Sequence, residues 1–117
     1  MIRIDNRYGT IEVSQEYFRH LVGEAVSSCY GVVGMVSKSP VKGLRSLLGR
    51  SNQTAEGVRV RSEGDRLVVD IHIEVVFGMN ISAIAKSIVN KVRYTVEEAT
   101  GLTVKKVNVF VDGIQPE

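Results

Sequence analysis

Leu67-Val68-Val69-Asp70-Ile71-His72-Ile73-Glu74-Val75-Val76 decides the fold. Val69, Ile71, Ile73 and Val75 alternate with Asp70, His72 and Glu74, a period of two that gives a strand one buried and one wet face. Such a strand belongs to a sheet covered on one side only, the habit of antiparallel sheets. Just before it, Val58 and Val60 alternate with Arg59 and Arg61, and Glu63-Gly64-Asp65 signals the turn of a hairpin. After it comes a loop, Gly78-Met79-Asn80. From Ile81 or Ser82 to Thr100, Ile81, Ile84, Ala85, Ile88, Val89, Val92, Val96 and Ala99 then form one helical stripe. Lys86, Asn90, Arg93 and Glu97 line the opposite face, with Arg93 and Glu97 spaced for an i,i+4 ion pair. Gly101 ends this helix, and Val104 to Val111 is the last strand.

The amino-terminal part repeats the theme. Thr10 to Val13 is a strand with Ile11 and Val13 on one face, and Ser14 stands where a helix N-cap is expected. Gln15 to Cys29 has helical spacing: Tyr17, Phe18, Leu21, Val22, Ala25, Val26 and Cys29 share one side, and Glu16, Arg19, His20, Gly23 and Ser27 the other. Gly31 sits at the expected carboxyl-terminal glycine, and Val32 to Val36 reads as a strand. The order β-α-β-β-β-α-β predicts an α+β fold, with two amphipathic helices packed on one face of a mixed, largely antiparallel sheet. The strand–Ser–helix–Gly–strand units around Ser14 and Gly31 and around Ser82 and Gly101 are either a degenerate internal repeat or two uses of the same capping chemistry.

A chain of 117 residues, 44% of them hydrophobic, is expected to form a single domain, 1–117, with a core of its own. Charges interrupt the amino terminus too early for a signal peptide, and no apolar stretch reaches the ~18 residues of a spanning helix. The expected location is cytoplasmic. One cysteine excludes an internal disulfide, and Cys29, on the apolar stripe, reads as a core thiol. His20 and His72 fall on wet faces without a second ligand at metal spacing, so no metal, cofactor or catalytic residue is expected. Asp70, His72 and Glu74 read as a solvated charge ladder facing Arg59 and Arg61 rather than as acid–base machinery. Gly31-Val32-Val33-Gly34 matches the GxxG of a KH loop, but its middle residues are valines and a strand pattern follows it.

The segment 37–56, between the second and third strands, is expected to be a variable basic loop or a short helix. Lys38, Lys42, Arg45 and Arg50 lie in it without an acid, so with the chain at +2 the remainder sums to −2. Leu44, Leu47 and Leu48, together with Val41, fall on one side when the segment is built as a helix. These residues are candidates for contact with a partner or an anionic membrane. Tyr94, on the polar side of the second helix, and Phe110, turned outward on the last strand, are candidates for an association surface.

The blocks Gly9-Thr10-Ile11-Glu12-Val13-Ser14, Cys29-Tyr30-Gly31-Val32-Val33-Gly34-Met35 and Gly57-Val58-Arg59-Val60 occur in order, followed by Val76-Phe77-Gly78-Met79-Asn80-Ile81, a block from Val92 to Leu102 and a block from Val107 to Gly113. Together with the long alternating strand they resemble the alkaline-shock, or envelope stress response, protein family of Gram-positive bacteria, nearest its short single-domain branch. The resemblance implies a small non-enzymatic protein, held near the membrane by membrane-anchored partners, with a link to lipid metabolism through a neighbouring fatty-acid kinase. It carries over no catalytic residue, and it places the basic 38–50 segment in the family's variable region. The expected function is a cell-envelope interaction or scaffold protein that acts through protein partners or as a homo-oligomer. The alternatives are a KH-like nucleic-acid-binding module and a peripheral lipid binder using residues 38–50.

Overall fold

The computed structural model describes residues 2–35 and 57–115. The elements are β1 (Ile2–Asn6), β2 (Gly9–Val13), α1 (Gln15–Ser27), β3 (Val32–Met35), β4 (Val58–Glu63), β5 (Arg66–Val76), α2 (Ile81–Thr100) and β6 (Thr103–Gln115). The expected segment 37–56 lies outside the described residues, and with it Lys38, Lys42, Leu44, Arg45, Leu47, Leu48 and Arg50.

β5 is the centre of the sheet. β4 pairs antiparallel with its first half, Val58 opposite Ile71 and Glu63 opposite Arg66. β3 pairs antiparallel with its last residues, Val32 opposite Val75 and Met35 opposite Ile73. β3 and β4 therefore share one edge of β5, end to end. β6 takes the whole of the other edge in parallel, from Arg66 opposite Thr103 to Val76 opposite Gln115. The sheet is mixed, with two short antiparallel pairings and one long parallel pairing, and the described architecture is α+β.

One face of the sheet is dry. Leu67, Val69, Ile71, Ile73 and Val75 of β5, Val58 and Val60 of β4 and Val104 of β6 join Phe18, Val22, Ala25, Val26, Ile84, Ile88, Val92 and Val96 in one core. α1 lies against β3 and β4, α2 against β6, and the two helices touch each other. Both helices thus cover the same face, because each has a single apolar side to bury. The α2 side is narrower than its sequence stripe: Ile84, Ile88, Val92 and Val96 are buried, whereas Ile81 and Ala99 are exposed. On α1, Gly23 is buried although its spacing assigned it to the polar side. Cys29 is in the core, its thiol 3.5 Å from the Ala25 carbonyl.

Four local expectations change. Ile2–Asn6 forms an additional strand, paired with β2 in a separate two-stranded sheet. In that hairpin Thr10 Oγ1 donates to Asp5 Oδ1 at 2.7 Å and Arg3 Nε at 3.3 Å, which together hold the Asp5 carboxyl below its ordinary value. α1 ends at Ser27, with Ser28 as C-cap, so Gly31 is not a helix cap. Asn80, not Ser82, caps α2, its Oδ1 accepting from the Ala83 N–H at 3.1 Å. Gly101 does end α2, in the left-handed conformation with φ 74°. The two α units therefore differ in caps and in topology, since β2 and β3 lie in different sheets while β5 and β6 are neighbours. That argues against an internal repeat. Finally, Glu97 does not pair with Arg93. Its Oε2 accepts from the Val104 N–H at 2.9 Å and ties the end of α2 to the start of β6.

Candidate association surfaces

The face of the sheet turned away from the helices carries a polar network built by strand register. Arg61 of β4 donates to Asp70 Oδ2 at 2.9 Å, and Asn108 of β6 donates to Asp70 Oδ1 at 2.8 Å. The row runs across three strands, and the arginine reaches Asp70 diagonally, because Arg59 stands directly opposite. One step along β5, His72 and Phe110 are opposite each other and their rings stack, centroids 4.7 Å apart and 16° between planes. His72 Nδ1 lies 2.6 Å from Asp112 Oδ2. Asp112 occupies the extra position of a bulge between the Ile73–Val111 and Glu74–Gly113 pairs, and bulges re-aim side chains in this way. Gln115 Nε2 donates to Glu74 Oε1 at 2.9 Å. At the far end, Lys105 Nζ is 3.1 Å from Glu63 Oε1 and holds that carboxyl below its ordinary value.

A histidine oriented by a carboxylate makes two members of a nucleophilic triad, but among the described residues no contact of His72 with a Ser, Thr or Cys side chain supplies the third. Cys29 lies in the core, on the other side of the sheet from His72. Among the described residues no group of three or more His, Cys, Asp or Glu is placed to hold a metal ion. Of the GxxG glycines Gly31 lies between α1 and β3 and Gly34 within β3, so the motif does not join two helices, which is not the KH arrangement.

The two aromatic candidates occupy different surfaces. Phe110 is 44% exposed on the open face, and Tyr94 is exposed on the solvent side of α2, with the helix layer and the sheet between them.

A second surface went unread in the sequence. Tyr30 is 82% exposed, Phe77 57%, Ile114 58% and Ile81 44%. The backbone brings all four to the same end of the sheet. The Val76 N–H donates to the Gly31 carbonyl at 3.2 Å, next to Tyr30, and the Phe77 N–H donates to the Gln115 carbonyl at 2.9 Å, next to Ile114. Ile81 opens α2 directly after the intervening turn. The turn is close-packed from below: a Cβ on Gly31, at φ 93°, would stand 2.8 Å from Ile84 Cδ1 and 3.2 Å from Met79 Cε. The available signal was the pair of blocks Cys29–Met35 and Val76–Ile81, each holding an aromatic beside a glycine.

A sequence model of the alkaline-shock protein family, described as having a cell envelope-related function, matches residues 3–116. The uncharacterized protein YloU of Bacillus subtilis is 40% identical over 115 residues, covering 97% of this chain and 95% of YloU. The uncharacterized protein Spy1614 of Streptococcus pyogenes is 36% identical over 115 residues, covering 97% and 94%. Among solved structures, MamM-CTD 215-293 superposes with a TM-score of 0.50 at 17% identity, over 86% of this chain and 99% of that one. At that identity the likeness is one of fold alone. No helix among the described residues is long and apolar enough to cross a membrane.

Proposed function

The chain belongs to the alkaline-shock protein family, and from that premise we propose that it is a non-enzymatic interaction protein of the cell envelope, which docks protein partners through the apolar end of its sheet. The observation that carries the reading is the gathering of Tyr30, Phe77, Ile81 and Ile114 at one end, each more than two-fifths exposed. Monomer surfaces carry single exposed apolar residues as a matter of course, whereas a gathered set marks a contact site. Aromatic side chains lead among residues that anchor protein interfaces. Such a protein works on the cytoplasmic side, near the membrane, through a partner that is itself anchored there.

The test is affinity capture from membrane and cytosolic fractions with the wild-type chain and with Tyr30→Ser and Phe77→Ser. Both side chains are exposed, so the fold should tolerate the changes. Proteins held by the wild type and lost from both variants support the reading. An unchanged set, or none at all, overturns it. The lipid alternative rests on Lys42, Arg45 and Arg50, and charge reversal there should abolish sedimentation with anionic liposomes if it holds.

A further inference from the structure

We infer that the chain forms a two-fold dimer in which β6 pairs antiparallel with β6 of a second copy, with Val109 on the axis. The proposal concerns the free edge of β6, which meets the apolar end only at Ile114. β5 occupies one edge of β6 along its length, and no described strand lies on the other edge of these thirteen residues. A strand edge of that length presents a row of backbone donors and acceptors ready to pair with another chain.

The residues of β6 fix the occupant. Between bulges at Lys105 and Asp112, Lys106–Val111 runs in regular register with Val68–Ile73. In an antiparallel pair, opposite residues point to the same face. An axis through Val109 therefore sets Lys106 opposite Asp112 of the second copy, Asn108 opposite its Phe110 and Val107 opposite its Val111. Symmetry makes each contact twice. Lys106 makes no salt bridge with another described residue, its charge acting on Glu63 only at longer range, and Asp112 uses Oδ2 for His72, leaving Oδ1 for the incoming ammonium. Val107 and Val111 lie on the helix side, half-buried against the core, so the pairing carries that apolar layer across the interface. Moving the axis by one residue puts Lys106 opposite Phe110 or Ile114 and loses both ion pairs. A strand whose charges complement their own reversed copy in one register fits a second copy of itself, since a two-fold interface has to be self-complementary.

The experiment measures the dimerisation constant of the full chain by sedimentation equilibrium. Lys106→Asp places two like-charged contacts at the interface and should weaken the dimer roughly 10- to 100-fold. The double variant Lys106→Asp with Asp112→Lys should restore it. Independently, Val109→Cys should cross-link to a covalent dimer under mild oxidation, because residues on the axis face each other at ~5 Å, whereas Thr103→Cys should not. Thermal midpoints of dilute variants separate loss of pairing from loss of fold. A wild type that stays monomeric at its highest soluble concentration overturns the proposal. So does a dimer indifferent to the charge changes that fails to cross-link at position 109. Partner capture that survives Lys106→Asp but is lost with Phe77→Ser leaves the two surfaces separately scored.

Discussion

Gly31 and Gly78 offer a controlled measurement of how closely the turn at the apolar end is packed. Both hold φ at 93°, but a Cβ on Gly78 meets nothing within 4 Å, while on Gly31 it meets Ile84 Cδ1 at 2.8 Å, Ile84 Cγ1 at 3.2 Å and Met79 Cε at 3.2 Å. An alanine at either site pays the same conformational cost, about 1–2 kcal/mol for positive φ. Gly31→Ala adds an overpacking cost of about 1–3 kcal/mol. Met79 can swing away, but Ile84 is buried and its Cγ1 is fixed by a stiff χ1. With unfolding entropy near ~2.1 cal/mol/K per residue, each kcal/mol is worth about 4 °C in a chain of this size. Gly78→Ala should therefore lower the melting temperature by about 4–8 °C, and Gly31→Ala by about 8–20 °C. Restriction of the unfolded chain is the same in both variants and drops out of the difference. Circular dichroism melts, with urea titrations for the free energies, make the comparison. Equal losses at the two sites would refute the close approach of α2 to the residue after Tyr30.

Gln15→Ala should cost about 1–3 kcal/mol, because the Gln15 amide pairs with both the N–H and the carbonyl of buried Val60 and closes the outer edge of β4. Hydrogen exchange at the Val60 amide should accelerate in the variant, and unchanged protection would count against that bond. Glu97→Ala should lose about 1–2 kcal/mol by freeing the Val104 N–H, while Arg93→Ala stays within about 0.5 kcal/mol; urea titrations that rank the two the other way would restore the helix ion pair. Glu63 has its pKa lowered from 4.5, chiefly by the Lys105 hydrogen bond. A lowered folded value means stability that is present above 4.5 and lost as the pH falls through the folded pKa. The gap between wild type and Glu63→Gln should thus be open at neutral pH, close below pH 4.5 and shrink with salt; a gap that widens toward acid would contradict the pairing.

The elements legible in the sequence are those whose burial is one-sided over many residues. β5 alternates through the seven positions from Val69 to Val75 and α2 repeats every four, so each announces its own dry face. Ile2-Arg3-Ile4-Asp5 alternates as strictly as β5, but over four residues, and a strand that short is hard to tell from an extended terminus. Asn80 and Ser82 are both good N-caps, and only the path of the turn selects Asn80. The spacing of Arg93 and Glu97 describes an isolated helix. In the fold the carboxylate meets an unpaired backbone N–H, a stronger claim than an exposed i,i+4 pair. The apolar end was hidden for a different reason. Tyr30, the Phe77–Ile81 turn and Ile114 come from three separate stretches of chain, and each residue taken singly is an ordinary exposed apolar one. Only the closing of β3 and β6 around β5 brings them together.

That assembly also decides where association can occur. The open face looked the obvious docking surface because it is uncovered and carries Phe110. Many of its polar groups are nevertheless matched within the chain: Arg61 and Asn108 each hold one oxygen of Asp70, Asp112 takes His72, and Gln115 takes Glu74. Phe110 already has one ring face on His72. A partner laid there would break bonds to make new ones, and hydrogen bonds exchanged one for one add little net affinity. The apolar end and the free edge of β6 are different. They hold apolar side chains and backbone groups without a counterpart among the described residues, so contact there removes surface from water and satisfies donors at no internal loss. Phe110→Ala should accordingly lower stability by about 0.5–1.5 kcal/mol through the lost stack, and leave partner capture intact. Loss of capture with unchanged stability would return the docking role to the open face.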